Sequence, residues 1–139
     1  MAMNGQITIV TDLFERKNVK PHFINPRCFG EDFAAWLRSE IDSLSAVGFE
    51  LSDIIQEDWG WGFWARHGGT PFWIGLGIED ESLAAPDEPA RWLLFIEYDP
   101  GLNIVKRLFH KPDAQAFARL CDAIRHSVGS NPHMRAVVD

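Results

Sequence analysis

The amino-acid sequence predicts an α+β fold of two layers, a mostly antiparallel sheet of five or six strands with two helices on one face, in the order β-α-β(4-5)-α. Two segments, Glu31 to Val47 and Asp113 to Val128, place apolar side chains at helical spacing. Between them the period changes to two, and the alternating runs are joined by tight turns. Turns this short cannot lead to a parallel partner, which needs a crossover of about a dozen residues or more. The 139 residues, 46% hydrophobic and 24% charged, suit one soluble domain around one core. That domain is read as 1–139, with 1–5 and 130–139 loose.

Gln6 to Phe14 alternates at Ile7, Ile9 and Leu13, with β-branched Thr8, Val10 and Thr11 between, and reads as the first strand. Lys17 to Gly30, carrying Pro21 and Pro26, is a loop. Glu31 and Asp32 stand where a helix N-terminus favours anions, and Phe33, Trp36, Leu37, Ile41, Leu44 and Val47 form one helix face that Gly48 ends. Arg38, Glu40 and Asp42 fall on the polar face. Phe49, Leu51 and Ile54 to Gln56 supply a short strand or the approach to one, and Trp59 to Arg66 a longer one. His67-Gly68-Gly69-Thr70 is hairpin-turn chemistry, with Phe72, Ile74, Leu76 and Ile78 alternating on the return strand. Glu79 to Ala90, with five acids, two prolines and no base, reads as a solvated loop. Arg91 to Tyr98 and Asn103 to Phe109 form a second hairpin about Asp99-Pro100-Gly101. Phe117, Leu120, Cys121 and Ile124 line a last helix that Pro112 and Asp113 start and Gly129 ends. Phe33, Trp36, Leu37, Ile41, Phe117, Leu120 and Ile124 should meet Ile74, Leu76, Leu94 or Phe95, Ile96 and Leu108 in the core.

Twenty Asp and Glu against thirteen Lys and Arg leave a net charge of -7, which disfavours nonspecific binding to nucleic acid or an anionic membrane. The charge is uneven. From Glu40 to Ala90 there are eleven acids and one base, Arg66; the flanks carry twelve bases and nine acids. Such acidic loops either keep the protein soluble or complement a basic protein surface. Cys28 and Cys121 belong to no C-x-x-C pair, so no zinc ribbon or redox motif is expected and both read as reduced thiols. Met1 to Gly5 has no features of a secretory leader, and the apolar runs fall short of the ~20 residues that span a bilayer. A cytoplasmic location is expected.

The densest feature is Glu57-Asp58-Trp59-Gly60-Trp61-Gly62-Phe63-Trp64. Strand alternation sends Trp59, Trp61 and Phe63 to one face, as core under the helices or as a ligand surface, and Trp64 to the other. Phe72, Ile74 and Leu76 claim the core face of their strand, which leaves Trp73 opposite Trp64 on the outer face, beside Gly75 and Gly77 and exposed to water. That face then serves a homodimer or a different protein. Glu57 and Asp58, pointing to opposite faces of a strand, suit a turn better than a catalytic acid and base. The five histidines lack ligand spacing, and no phosphate-binding, dinucleotide or nucleophile-elbow motif occurs. No catalytic residue, cofactor or metal is therefore expected. The candidate binding residues are Glu57, Asp58, Trp59, Trp61, Trp64, Trp73, Glu79, Asp80 and Glu81.

Small, acidic, and with Glu57-Asp58-Trp59-Gly60-Trp61 leading into an aromatic hairpin, the chain resembles the small α+β bacterial immunity-type proteins of toxin systems. The resemblance implies a non-enzymatic protein-binding module, an inhibitor or immunity protein that covers a basic partner. The alternative is a small-molecule binder of helix-grip type, holding an apolar ligand between the sheet and the terminal helix, with Trp36, Trp59, Trp61 and Trp92 as lining. An enzyme ranks third, for want of an acid, base and nucleophile set.

Overall fold

Short turns force antiparallel pairing, and every strand pair in the computed structural model, which describes residues 4–24, 28–85, 87–100 and 113–137, is antiparallel. In chain order the elements are β1 (Asn4–Thr11), α1 (Glu31–Glu40), a 3-10 helix (Asp42–Val47), β2 (Phe49–Leu51), β3 (Ile55–Glu57) and β4 (Gly60–His67). There follow β5 (Thr70–Ile78), α2 (Asp80–Ala84), β6 (Ala90–Tyr98), α3 (Ala114–Gly129) and β7 (Met134–Val137). The fold is α+β. Among the described residues seven strands run β2-β4-β5-β6-β1-β7, with β3 sharing the β4 edge with β2.

The register explains the core. Trp61, Leu76, Leu94 and Ile7 lie in one row across β4, β5, β6 and β1, and Phe63, Ile74 and Ile96 in the next. These inner-face residues share one apolar cluster with Phe33, Ala34 and Leu37 of α1 and Leu120, Cys121, Ile124 and Val128 of α3. Leu94, not Phe95, takes the core place; Trp36 and Phe117 are only partly buried, and Leu108 lies outside the described residues. An aromatic knot seals one end of the core, with Phe33 stacked on Phe14 at 4.3 Å and set edge-on to Trp92 at 5.4 Å.

Four expectations need correction. The helix read as Glu31 to Val47 breaks at Ile41 into a 3-10 turn, where the Ser45 hydroxyl donates to the Asp42 carbonyl at 2.8 Å and Val47 ends exposed. Gly48 still closes the segment, at φ 95°. The stretch after Ile78 is not all loop, because Asp80–Ala84 winds one helical turn. Gly129 is the last residue of α3 rather than its terminator; Ser130 follows with ordinary helical backbone angles. Finally, parts of the segments expected to be loose form strands among the described residues: β1 begins at Asn4, and Met134–Val137 pairs with Thr8 to Thr11 as β7. The hairpin expected at Asn103 to Phe109, about Asp99-Pro100-Gly101, lies mostly outside the described residues.

The His67-Gly68-Gly69-Thr70 turn has φ 55° and 85° at its two glycines, a conformation few other residues adopt. His67 then meets the start of α3. Asp113 caps that helix, its carboxylate accepting the Ala116 N–H at 3.0 Å while His67 Nδ1 stands 3.3 Å from Oδ2. The Ala116 amide, with help from His67, holds the Asp113 carboxyl below the usual Asp range. A carboxyl whose pKa is lower folded than unfolded stabilises fully above its unfolded value, and that contribution vanishes as pH falls through the folded one. Asp113→Asn keeps a capping oxygen but not the charge. It is expected to flatten the loss of thermal stability on acidification below about pH 4, as followed by circular dichroism melts across that range.

Candidate functional site

β3 and β4 form a hairpin whose turn is Asp58-Trp59, because Glu57 pairs directly with Gly60. Turn residues escape strand alternation, and Trp59 therefore does not join Trp61 and Phe63 on the core face. Its ring folds onto the outer face instead, 4.8 Å from Phe95 and over Gly75 and Gly77. The glycines make this possible: a Cβ at Gly75 would stand 2.5 Å from the Trp59 ring and 2.7 Å from Phe95.

Trp73 lies opposite Trp64 with ring centroids 5.1 Å apart, as the register requires, but it is not wet. It is 5% exposed, since its ring lies down over Gly62 rather than standing into solvent. Trp64 is half-buried beneath the Arg66 guanidinium, 5.5 Å above the ring. Trp61 belongs to the core, and its indole N–H donates to the Cys28 carbonyl at 2.7 Å, pinning the segment before α1 to β4.

Where the outer face meets α2, an open groove of about 860 Å³ is lined by Cys28, Asp58, Trp59, Gly77, Ile78, Glu79, Asp80, Glu81, Leu93 and Phe95. It gathers Asp58, Trp59, Glu79, Asp80 and Glu81 from the candidate residues. Glu57 lies exposed at the end of β3, Trp61 points to the other face, and Trp64 and Trp73 lie farther along the sheet. Cys28, Ile78, Leu93 and Phe95 escaped the sequence reading. The available signal was the unbroken apolar run Leu93-Leu94-Phe95-Ile96, which marks a strand covered on both faces.

The α2 wall is braced. The Glu79 carboxylate pairs with Arg91 Nε at 3.3 Å, the Glu79 N–H donates to the Arg91 carbonyl at 2.9 Å, and the Arg91 N–H donates to the Ser82 hydroxyl at 2.8 Å. Arg91 thus balances Glu79; among the described residues no ion pair neutralises Asp80 or Glu81. At the base of the groove the Cys28 thiol donates to the Asp58 carbonyl at 3.0 Å. Burial pushes this thiol up, and the negative charges of Asp58 and Asp80 push it further. Burial likewise raises Cys121. Thiolate is the reactive form, so both cysteines are expected to react with iodoacetamide at pH 8 much more slowly in the native protein than in urea, as read by mass spectrometry.

The groove combines an apolar floor, an exposed indole and the carboxylates of Asp80 and Glu81, which suits a cation with an apolar stem. Among the described residues no set of His, Cys, Asp or Glu could hold a metal ion, and no helix is long and apolar enough to cross a membrane. Compared with protein-family models, curated proteins and solved structures, the chain has no significant match.

Proposed function

We propose that the protein is a non-enzymatic protein-binding module of the inhibitor or immunity type, which meets a basic partner surface through the outer-face groove and the acidic loops beside it. One observation carries the reading: Asp58, Trp59, Glu79, Asp80 and Glu81, drawn from a hairpin turn and a helix more than twenty residues apart, line a single open groove. Charge there speeds encounter and rejects acidic competitors, and the aromatic floor holds the partner once docked. The test is capture from the native host with and without roughly 0.5 to 1 M salt, where attraction between exposed charges is screened. A specific partner released by salt is expected; recovery of no salt-sensitive partner overturns the proposal.

A second reading, the small-molecule binder, draws on a groove of about 620 Å³ between α3 and the β1–β7 edge, lined by Ile7, Thr8, Val128 and Val137 among others. Its lining is not the tryptophan set expected for it, since Trp61 and Trp92 are packed in the core and Trp59 is on the other face. Titrating the protein with a metabolite panel by intrinsic fluorescence separates the two readings. A homodimer through Trp64 and Trp73 would have little apolar surface to bury, with Trp73 already covered; light scattering of the wild type and of Trp64→Ser decides it.

A further inference from the structure

We infer that the groove between α3 and the β1–β7 edge is a binding site for a medium-chain carboxylate, its head held at Arg125 and its tail laid along Ile7, Val128 and Val137. This rests on the small-molecule reading of that groove and adds the class of ligand; it is independent of the protein-binding reading, whose groove lies beside α2. The space, about 620 Å³, falls within the roughly 300 to 1,000 Å³ typical of small-molecule sites. Three elements build it. Gln6, Ile7 and Thr8 come from β1, Arg125 and Val128 from α3, and Val137 from β7, and Ile7, Val128 and Val137 give it an apolar track.

The polar groups on the walls select the head. Three side chains there are polar, Gln6, Thr8 and Arg125, and each can donate a hydrogen bond. None of the three has a hydrogen-bond or ion-pair partner among the described residues. Thr8 weighs most: it is only 6% exposed, so its hydroxyl has little water to turn to, and a buried polar group ordinarily has a partner. No Asp or Glu lines the groove, although acids outnumber bases twenty to thirteen in the chain. Donors without acceptors, gathered beside a cation, call for an anionic acceptor, and the planar guanidinium fork matches the two oxygens of a carboxylate. The carbonyls at the C-terminal end of α3 repel an anion, so the head stays at Arg125, one turn before that end, and the tail runs towards Val128 and Val137.

The experiment titrates the full chain by calorimetry with octanoate, octanol and octylamine, and with hexanoate and butyrate, while amide NMR shifts locate the ligand. Octanoate is expected to bind with a Kd of about 0.1 to 1 mM, about tenfold tighter than octanol or octylamine, and to shift the amides of Gln6, Thr8 and Val137. Shortening the chain should weaken binding by about twofold to fourfold per methylene. Arg125 is exposed, so Arg125→Gln leaves the fold intact; it should weaken octanoate by about tenfold and leave octanol unchanged. Thr8→Val should weaken octanoate by about threefold yet melt no lower than the wild type, because the hydroxyl it removes has no partner in the free protein. Equal affinity for octanoate and octanol, or octanoate binding unchanged in Arg125→Gln, overturns the inference and leaves the small-molecule reading standing. If none of the three eight-carbon compounds binds, the inference and that reading fall together.

Discussion

Gly60→Ala is expected to destabilise the protein by about 3 kcal/mol or more and to dismantle the groove as it does so. A Cβ at Gly60 would stand 2.1 Å from the Leu76 carbonyl oxygen and 3.1 Å from the Gly77 Cα. Both obstacles are backbone, so no rotamer change relieves them. β4 must move away from β5, which carries Trp61 and Phe63 out of register with the core and withdraws Trp59 from its seat. Urea unfolding should show a lower midpoint with an unchanged slope, and fluorescence should show a tryptophan that is no longer supported. Gly129 is the internal control. A Cβ there meets nothing within 4 Å in the last turn of α3, and Gly129→Ala should leave stability unchanged or raise it by up to about 1 kcal/mol. Equal stability of Gly60→Ala and the wild type would show that the strands do not approach as closely as described.

Phe33→Ala is expected to cost about 3 to 5 kcal/mol, a large fraction of the roughly 5 to 15 kcal/mol that holds a domain together. Phe33 is fully buried and touches three rings at once: Phe14 at 4.3 Å, Trp92 at 5.4 Å and Trp36 at 6.0 Å. These belong to the segment after β1, to β6 and to α1, so one truncation opens a cavity at the joint of three elements. Trp92 makes matters worse, because its indole N–H is buried without a partner among the described residues and relies on tight packing alone. Phe33→Leu, which refills much of the volume, should recover about half of the loss. Calorimetric melting temperatures of the two variants measure the difference. Equal melting temperatures for Phe33→Ala and the wild type would remove Phe33 from its place at the centre of the knot.

Periodicity revealed the inner face well, because a residue such as Ile74 or Leu120 takes its position from its own neighbours in sequence. The outer face was harder. Trp73 stood on the expected side, but its burial depends on Gly62 across the strand pair, a relation that no local pattern contains. Trp59 was misplaced because alternation was extended one residue too far, into a turn made by Asp58 and Trp59 rather than by a glycine or proline pair. β7 was missed altogether: Met134–Val137 is short, with Arg135 exposed, and it is a strand only because β1 has a free edge to receive it. Half of the groove was visible as an acidic loop and an aromatic run. That they would border the same space required the β5–β6 pairing, which sets Gly77 beside Leu93.

β1 stands between β6 and β7, so it is held on both sides by strands made long after it. At synthesis rates of about 5 to 20 residues per second, several seconds pass before Ala90–Tyr98 emerges, and more before Met134–Val137. Throughout that interval Ile7 and Ile9 sit on a strand with two open edges, the arrangement most prone to pair with a neighbouring chain. β1 is thus most vulnerable early, and the second of its edges is covered only when β7 arrives.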